Sequence, residues 1–419
     1  MKNALCTADI LVVGGGFAGA AAAIAAARQG RKVILLEQAG FLGGAAGSNL
    51  VFPYMGYWTA KDGKRVDLCA GLFAEINRRL TELDALHFTC FHEEYLKVVL
   101  EQMAQEAGVQ LVYHAAVCRA EVIDGRLRAV DAVCCGLTRR YEADVFIDAT
   151  GDANLATLAG CPCEQGRPQD GFCQPMTLCF RLGNVDKELF FREREKIDPL
   201  YTAWQAAGKL RDPRENMLIF DYPVAGVLHF NTTRVVRLDP TDPDDLTRAE
   251  IEARLQTLEL VDFLRQNFSA FADAGLIGTA HYIGVRESRR VCGEHLLTAE
   301  ELKDCTVFDD AIAAGNYDID IHSPTGSGTS HYYFAEGTWY TIPYRSLVAK
   351  GADNLLVAGR CLSATHEAQA SVRIMPICCC TGEAAGVAAS VCAESGAAAR
   401  DADIGAIRAR LAAAGAYLG

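Results

Sequence analysis

The chain has 419 residues, 50% of them hydrophobic and 22% charged, with a formal net charge of −13. This length points to two domains or one large domain with an insertion, and the apolar content supports a full core and excludes wholesale disorder. The acidic balance argues against nucleic acid or an anionic membrane as the main partner.

No apolar run reaches the ~20 residues of a spanning helix. The amino-terminal stretch carries only Lys2 and runs straight into glycines, unlike a signal peptide. A cytoplasmic location is therefore expected, with no membrane and no nucleic acid as partner.

Asp9-Ile10-Leu11-Val12-Val13 is a short apolar, β-branched run of the kind that forms a buried parallel strand. Gly14-Gly15-Gly16-Phe17-Ala18-Gly19 follows, then an alanine-rich helix expected at about residues 18–29 and stopped by Gly30. A second apolar strand, residues 32–36, ends at Glu37. Together these make a βαβ unit carrying Gly14-x-Gly16-x-x-Gly19, with an acid 18 positions after the last glycine. Gly14 permits the tight turn, Gly16 lets backbone approach a pyrophosphate, and Gly19 lets helix and strand pack closely. The helix N-terminus offers N–H groups and positive dipole to phosphates. Glu37 would accept hydrogen bonds from an adenosine ribose. Strand, loop, helix, strand and acid in register are far more specific than an isolated GxGxxG.

After Glu37 and Gln38 comes a second glycine-rich loop, Ala39-Gly40-Phe41-Leu42-Gly43-Gly44-Ala45-Ala46-Gly47-Ser48. It resembles the loop by which two-dinucleotide-fold flavoproteins hold FAD. Residues 91–107 read as an amphipathic helix and 108–113 as a strand, followed by a β-meander with turns at Asp124-Gly125 and Cys135-Gly136. The strand at 144–148 ends in Ala149-Thr150-Gly151-Asp152, where a strand's C-terminal end faces a cofactor. Residues 354–359 form another buried strand ending in glycine. A helix beginning near Pro376 carries Gly382 and Gly386 for close packing.

Between Gly160 and Tyr340 strand-like runs (176–182, 225–230, 278–285) alternate with charged helices, notably 246–267. No second strand–GxGxxG–helix unit occurs. The fold class is α/β: a two-dinucleotide-fold-type FAD-binding domain, with parallel sheet and β-meander, built from residues 1–159 and 341–419. An α+β substrate or cap domain, residues 160–340, is inserted into it. The alanine-rich tail reads as an exposed C-terminal helix.

Seventeen cysteines is an odd number in a long chain, which argues against a disulfide framework. Neither Cys161-Pro162-Cys163 nor Cys378-Cys379-Cys380 has the pairs or histidine partners of a zinc site, and no ferredoxin-type spacing occurs. No metal is expected. The cysteines read as small buried hydrophobes, with a redox-active thiol beside the cofactor as the alternative.

These runs, with Gln174-Pro175-Met176-Thr177-Leu178, Val285-Arg286-Glu287-Ser288-Arg289-Arg290, Ile342-Pro343-Tyr344-Arg345 and Leu356-Val357-Ala358-Gly359-Arg360-Cys361-Leu362-Ser363-Ala364-Thr365-His366-Glu367-Ala368, resemble the bacterial FAD-dependent oxidoreductase family over nearly the whole chain. The resemblance implies a glutathione-reductase-type FAD fold and leaves the substrate open. It marks a family and not a reaction, and assigns no role to the Cys-Pro-Cys or the triple cysteine. The candidate FAD contacts are Gly14, Gly16, Phe17, Ala18, Gly19, Glu37 and Gln38 in the fingerprint. Gly43, Gly44, Ala45, Ala46 and Ser48 follow in the second loop, and Val117 in the meander. Thr150, Gly151, Asp152, Gly359, Arg360, Met375 and Ile377 complete the set at later strand and helix ends.

FAD would do the redox chemistry, and the protein must place a substrate against N5 and handle one proton. His366, seven residues past Gly359, is the first candidate, since histidine titrates near neutrality; an ordinary satisfied histidine is the alternative. On a strand, Arg286, Ser288 and Arg290 share one face and Glu287 and Arg289 the other. Arg286 and Arg290 are thus candidates to bind a carboxylate or phosphate, with internal Arg–Glu pairing as the alternative. Arg345 is ambiguous in the same way, and His322, on the alternating run Asp318-Ile319-Asp320-Ile321-His322, could line the cap or lie on a surface face. The Pro376 helix would aim its positive end at the flavin pyrimidine, with Arg373 just upstream and Cys378 in a first turn that lowers thiol pKa.

The expected function is hydride transfer between flavin N5 and a small polar metabolite, with the external electron donor or acceptor and the oligomeric state open. Alternatives are a fumarate-reductase-like reductase of an activated C=C, in which an arginine protonates the product, and a flavoprotein electron-transfer subunit needing a partner. The charge argues against an RNA-modifying flavoenzyme.

Overall fold

Leu5–Val13 is the middle strand of the larger sheet in the computed structural model, which describes residues 5–419. Val33–Leu36 pairs with it in parallel on one side and Leu137–Asp148 on the other, so that Ile10 faces both Val33 and Val145. Gln110–Val112 extends the sheet beyond Val33–Leu36, and Leu355–Val357 pairs in parallel with Phe146–Asp148. Strands from both ends of the chain therefore form one five-stranded parallel layer.

Its apolar runs are continuous because both faces are covered. Ile10, Val12, Val33, Leu35, Val145, Ile147 and Leu356 pack into the larger core cluster with the helices. Leu11, Val13, Ile34, Leu36, Phe146, Leu355 and Val357 pack into the second, beneath the meander.

The meander is Ala115–Ile123, Arg126–Cys134 and the long strand Leu137–Asp148, antiparallel in sequence order. Its turns fall at Asp124-Gly125 and Cys135-Gly136, all four residues at positive φ. Leu137–Asp148 begins earlier than the expected 144–148, because on the side away from Leu5–Val13 it serves two partners in succession. Residues 137–142 pair with the meander and residues 146–148 with Leu355–Val357.

Two helices, Phe17–Arg28 and Met375–Ser395, cross in close contact under the parallel layer. A Cβ on Gly382 would lie 2.0 Å from the Ala18 carbonyl oxygen, and one on Gly386 2.2 Å from that of Ala22. The expectation that nothing is long and apolar enough to span a bilayer needs one correction. Met375–Ser395 meets that test by length and composition, yet its apolar window is entirely buried in the protein as a core helix.

A second, antiparallel sheet runs in the order Ile219–Asp221, Leu228–Phe230, Phe180–Gly183, Gly275–Thr279. With helices Lys187–Ala206 and Pro243–Asn267 it encloses a separate core around Phe180, Phe230, Leu260, Phe263 and Phe271. These strands are shorter than the expected 176–182, 225–230 and 278–285. In the first of them side-chain hydroxyls replace part of the ladder: Leu178 N donates to Thr233 Oγ1 at 2.8 Å, and Thr177 Oγ1 to Thr233 O at 2.7 Å.

The long helix starts at Pro243 and not at 246, because Asp242 caps it, accepting from Asp244 N and Asp245 N. The C-terminal helix Ile404–Ala413 is not simply exposed. Ile407 and Leu411 are buried in the larger core.

Candidate functional site

The parallel strands end together, and the loops that leave them meet above the first helix. Gly14 has φ 96°, and a Cβ there would lie 2.5 Å from Ala149 O. Gly19 is closed off more severely, with Gly14 O only 1.7 Å from its would-be Cβ. Gly16 is the contrast: the nearest atom to its would-be Cβ is Gly44 Cα at 3.9 Å. The helix that follows, Phe17–Arg28, has no side-chain cap and no acid in its first turn. Its terminal N–H groups and the open space at Gly16 fit a pyrophosphate.

The second glycine loop is tied to the first. Gly43 N donates to Gly15 O at 2.9 Å, and Gly44 at φ 50° approaches Gly16 so closely that a Cβ would sit 2.7 Å from its Cα. Ala45, Ala46 and Ser48 follow in the short turn Ala45–Ser48, where Ser48 Oγ donates to Gly44 O. Ser48 O in turn accepts from His281 N at 2.9 Å, which joins this loop to the inserted segment.

Glu37 is buried at the end of its strand, and its carboxylate accepts from Gly15 N and from Ala39 N at 2.6 Å. Burial raises its pKa while these two N–H groups oppose the shift. A carboxylate has about four acceptor sites, so two remain for ribose hydroxyls. Gln38 is exposed beside it and Val117 is half-buried on the meander.

Asp148, wholly buried, pins the next turn: its Oδ1 accepts from Thr150 N and Thr150 Oγ1, and its Oδ2 from Ala156 N. Beyond Gly151, Asp152 Oδ1 accepts from Arg360 Nη2 at 2.7 Å and Ser288 Oγ at 2.6 Å. Arg360 also bonds Val285 O, and fills the space a Cβ on Gly151 would need. Gly359, Asp152 and the segment at 285–289 therefore converge. Ala18 packs between Gly359 and Gly382, and Ile377 is fully buried against Gly315. Phe17 and Met375 are buried at the starts of their helices.

The segment at 286–290 departs from the expected strand. Only Arg289–Val291 is one, pairing with Cys163–Gln165. Glu287 and Arg290 therefore do not lie on opposite faces: Arg290 Nη1 bonds Glu287 Oε1 within the same buried pocket. Arg290 also donates from Nε to Ala364 O and from Nη2 to Gly166 O. Each of its guanidinium nitrogens is engaged inside the protein, which corrects its candidacy for substrate contact. Glu287, with no exposed surface, also accepts from Gln174 N at 2.9 Å.

His366 Nδ1 lies 2.8 Å from the same Glu287 carboxylate, and His366 Nε2 is buried without a partner. A cavity of about 720 Å³ is bounded by His366, Arg167, Gln169, Ile321, Ser323 and Thr329. A second, of about 390 Å³ around Tyr57, Arg65 and Phe88, includes none of the candidate residues.

Arg286 donates from Nη1 to Pro175 O and Thr177 Oγ1 and from Nη2 to Asn231 Oδ1. Burial and the neighbouring Arg214, Arg373 and Arg234 bring its pKa down to about 9. His322 is buried, not on a surface face, with Nδ1 3.0 Å from Arg234 Nη2 and Nε2 3.3 Å from Asp320 Oδ2. Burial and the charge of Arg286 lower it to about 3. Arg373 Nη2 stands 3.6 Å from Asp320 Oδ2. Arg345 lies with its side chain half exposed in a pair with Asp310.

Cys378 reverses the expectation of a lowered thiol pKa. Burial pushes it up to about 12, against the pull of Arg360 and Arg373, and its Sγ bonds Arg373 O. Cys161 is likewise raised to about 12 by burial, and Cys163 is raised. Among the described residues no disulfide is formed. Among the described residues, no three His, Cys, Asp or Glu side chains form a metal-binding group.

Glu287, Asp148 and Gln174 escaped the sequence reading as site residues, as did Arg214 and Arg234. Glu287 was visible as the one acid among four cations or hydroxyls at 286–290, and Asp148 as an acid ending an apolar strand. Nothing in sequence spacing links Arg214 or Arg234 to Arg286.

The model of the family described as FAD dependent oxidoreductase matches residues 9–411. A search of curated proteins finds no match. Among solved structures, the chain is similar to the flavin-dependent brominase Bmp2, with 11% identity, 98% of this chain and 84% of that one covered, and a TM-score of 0.49. It is also similar to a geranylgeranyl bacteriochlorophyll reductase-like protein from Thermoplasma acidophilum, with 13% identity, 97% and 83% covered, and a TM-score of 0.45. A flavoprotein/dehydrogenase from Cytophaga hutchinsonii is similar at 13% identity, 93% and 79% covered, and a TM-score of 0.43.

Proposed function

This chain belongs to the FAD-dependent oxidoreductase family, and on that premise we propose that it transfers a hydride between flavin N5 and a small polar metabolite, with His366 handling the accompanying proton. The observation that carries this reading is the buried Glu287–His366 contact with Nε2 left free. FAD, when bound, supplies the two-electron chemistry.

The chain's own residues do the rest. Gly16 and the uncapped helix N-terminus receive the pyrophosphate, and Glu37 takes the ribose. Glu287 holds the Nδ1 proton of His366, which leaves Nε2 with a lone pair to accept a proton from substrate. Arg290 and Gln174 N hold Glu287 in turn, so the imidazole orientation is fixed from behind. Residues 160–340 are proposed to set substrate specificity around this centre.

A reductase of an activated C=C is the second reading. It is favoured by the position of Arg286, whose guanidinium is held by neutral oxygens beside the helix that His366 begins. The two are separated by anaerobic mixing of the yellow protein with a panel of hydroxy and amino acids. Bleaching of the flavin by one of them supports the first reading. No bleaching, with reoxidation of pre-reduced protein by an α,β-unsaturated acid, supports the second and contradicts the first.

A further inference from the structure

Two arginines, Arg214 buried and Arg286 half-buried, have no acid to pair with among the described residues. Arg214 is 4% exposed; its only side-chain partner is Asn216 Oδ1, 3.4 Å from Nε, and its Nη1 is buried and unbonded. Arg286 is held by three neutral oxygens, those of Pro175, Thr177 and Asn231. Among the described residues neither guanidinium has a carboxylate within ion-pair distance, whereas nearby Arg234 has Glu215 at 3.2 Å and Arg373 has Asp320 at 3.6 Å.

The two lie close enough that Arg214 is the strongest of the neighbouring charges acting on Arg286. The acids within reach offset them only in part: Asp320 acts on Arg286 and has Oδ1 buried without a hydrogen-bond partner, but no carboxylate pairs directly with either guanidinium. Asp320 is shared among Arg373, His322 and Tyr317. Asp212 bonds the backbone N of Arg214 and the hydroxyl of Tyr201, and burial raises its pKa to about 7.

A buried cation without a counter-charge is expensive, so an anion is the missing partner. The polar groups around them point the same way. Gln174, beside the Pro175 carbonyl that Arg286 bonds, has a buried Nε2 with no partner, and Arg373 has a buried Nε with none. Three unbonded donors, on Arg214, Gln174 and Arg373, belong to this cluster. Arg286 itself is half-buried. Gln369 Nε2 bonds Arg286 O, placing the cluster beside the helix His366–Val372 that begins with the proposed proton-handling residue.

We infer that Arg214 and Arg286, with Gln174 Nε2, form the binding site for an oxyanion, carboxylate or phosphate, on the substrate. This rests on the reading of the adjacent site as a flavin oxidoreductase centre. It narrows the substrate from a polar metabolite to an acidic one. The planar guanidinium forks suit either oxyanion, and an uncharged isostere lacks the charge that the site needs.

The test is calorimetric titration of the FAD-loaded protein, at fixed ionic strength, with succinate, inorganic phosphate and uncharged succinamide. Saturable binding of succinate or phosphate with succinamide silent is expected; succinate alone identifies a carboxylate and phosphate alone a phosphoryl group. Arg214→Met and Arg286→Met should weaken that binding about tenfold or more, and Arg286→Lys should weaken it while keeping the charge. The surface variant Arg345→Met should bind as wild type does. Without ligand, Arg214→Met should melt no lower than wild type, since it removes an uncompensated charge.

Binding of neither anion, or equal binding by the arginine variants, overturns the inference. So does loss of flavin from Arg214→Met with no anion response, which assigns the arginines to the cofactor. Flavin content is read from the visible spectrum of the same samples. A yellow protein indifferent to anions sinks the anion site alone, and a colourless one sinks the flavin reading.

Discussion

His366 Nδ1 and the carboxylate of Glu287 are 2.8 Å apart, in a pocket where the histidine is 2% exposed and the glutamate not at all. Arg290 completes the group, bonding Glu287 Oε1, the oxygen that His366 Nδ1 also contacts. Removing one member of a buried charged set leaves the others uncompensated and typically costs about 3–5 kcal/mol. Arg290→Met should therefore lower the unfolding free energy by that amount, whereas Arg345→Met, which breaks a half-exposed pair with Asp310, should cost no more than about 1 kcal/mol. Urea unfolding of the two variants decides it; equal losses would mean that the Glu287 pocket is not a tightly held unit.

The glycines of the cradle separate folding from cofactor binding. Gly16 has open space where a side chain would project, but Gly19 does not. Gly16→Val should fold with a near-normal melting temperature and retain no FAD. Gly19→Ala should be destabilised by at least the ~1–3 kcal/mol of an overpacked core, because its Cβ would meet the Gly14 carbonyl. Flavin content and thermal melts on both proteins check this, and a yellow Gly16→Val would contradict the placement of the pyrophosphate.

Glu383, buried in the core helix, accepts from Leu72 N, and burial raises its pKa to about 7. A raised carboxyl pKa favours the fold while the group is protonated. Its contribution is complete below the ordinary value near 4.5 and is lost as pH rises to about 7. Glu383→Gln, which keeps an acceptor for Leu72 N, should remove that decline and leave the protein up to about 3 kcal/mol more stable than wild type at pH 8. Stability curves of the two proteins that stay parallel between pH 4.5 and 8 would contradict it.

Cys378 was attractive in sequence because a helix N-terminus favours thiolate, but burial dominates there. Under native conditions an aromatic disulfide reagent should modify the exposed Cys118 and Cys135 first and spare Cys378, Cys379 and Cys380. Mass mapping after brief labelling reads the order, and early modification at Cys378 would reverse the assignment.

The parallel layer was legible because four of its five strands are apolar on both faces where they pair and run into glycine or acid at their C-terminal ends, Gln110–Val112 being the exception. The close helix pair was legible through Gly382 and Gly386, spaced one turn apart. The segment at 286–290 was not, since alternation assumed a strand where the chain bends to bring Glu287 and Arg290 into one pocket. His322 read equally well as a cap-lining or a surface residue on an alternating run, and Asp320 and Arg234 draw it inward. Such side-chain bonds between distant segments leave no periodicity to read. The unpaired state of Arg214 and Arg286 was equally hidden, because it depends on which acids are absent around them in space.

The most direct measurement is the rate of anaerobic flavin reduction by the substrate, followed by rapid mixing across pH in wild type, His366→Ala and Glu287→Gln. His366→Ala should keep full flavin content and reduce about 10²–10⁴-fold more slowly, with a changed pH profile. Glu287→Gln should shift that profile as well, because it removes the charge that holds the Nδ1 proton. Reduction of His366→Ala at the wild-type rate, with an unchanged pH profile, would contradict the assignment of the proton to His366.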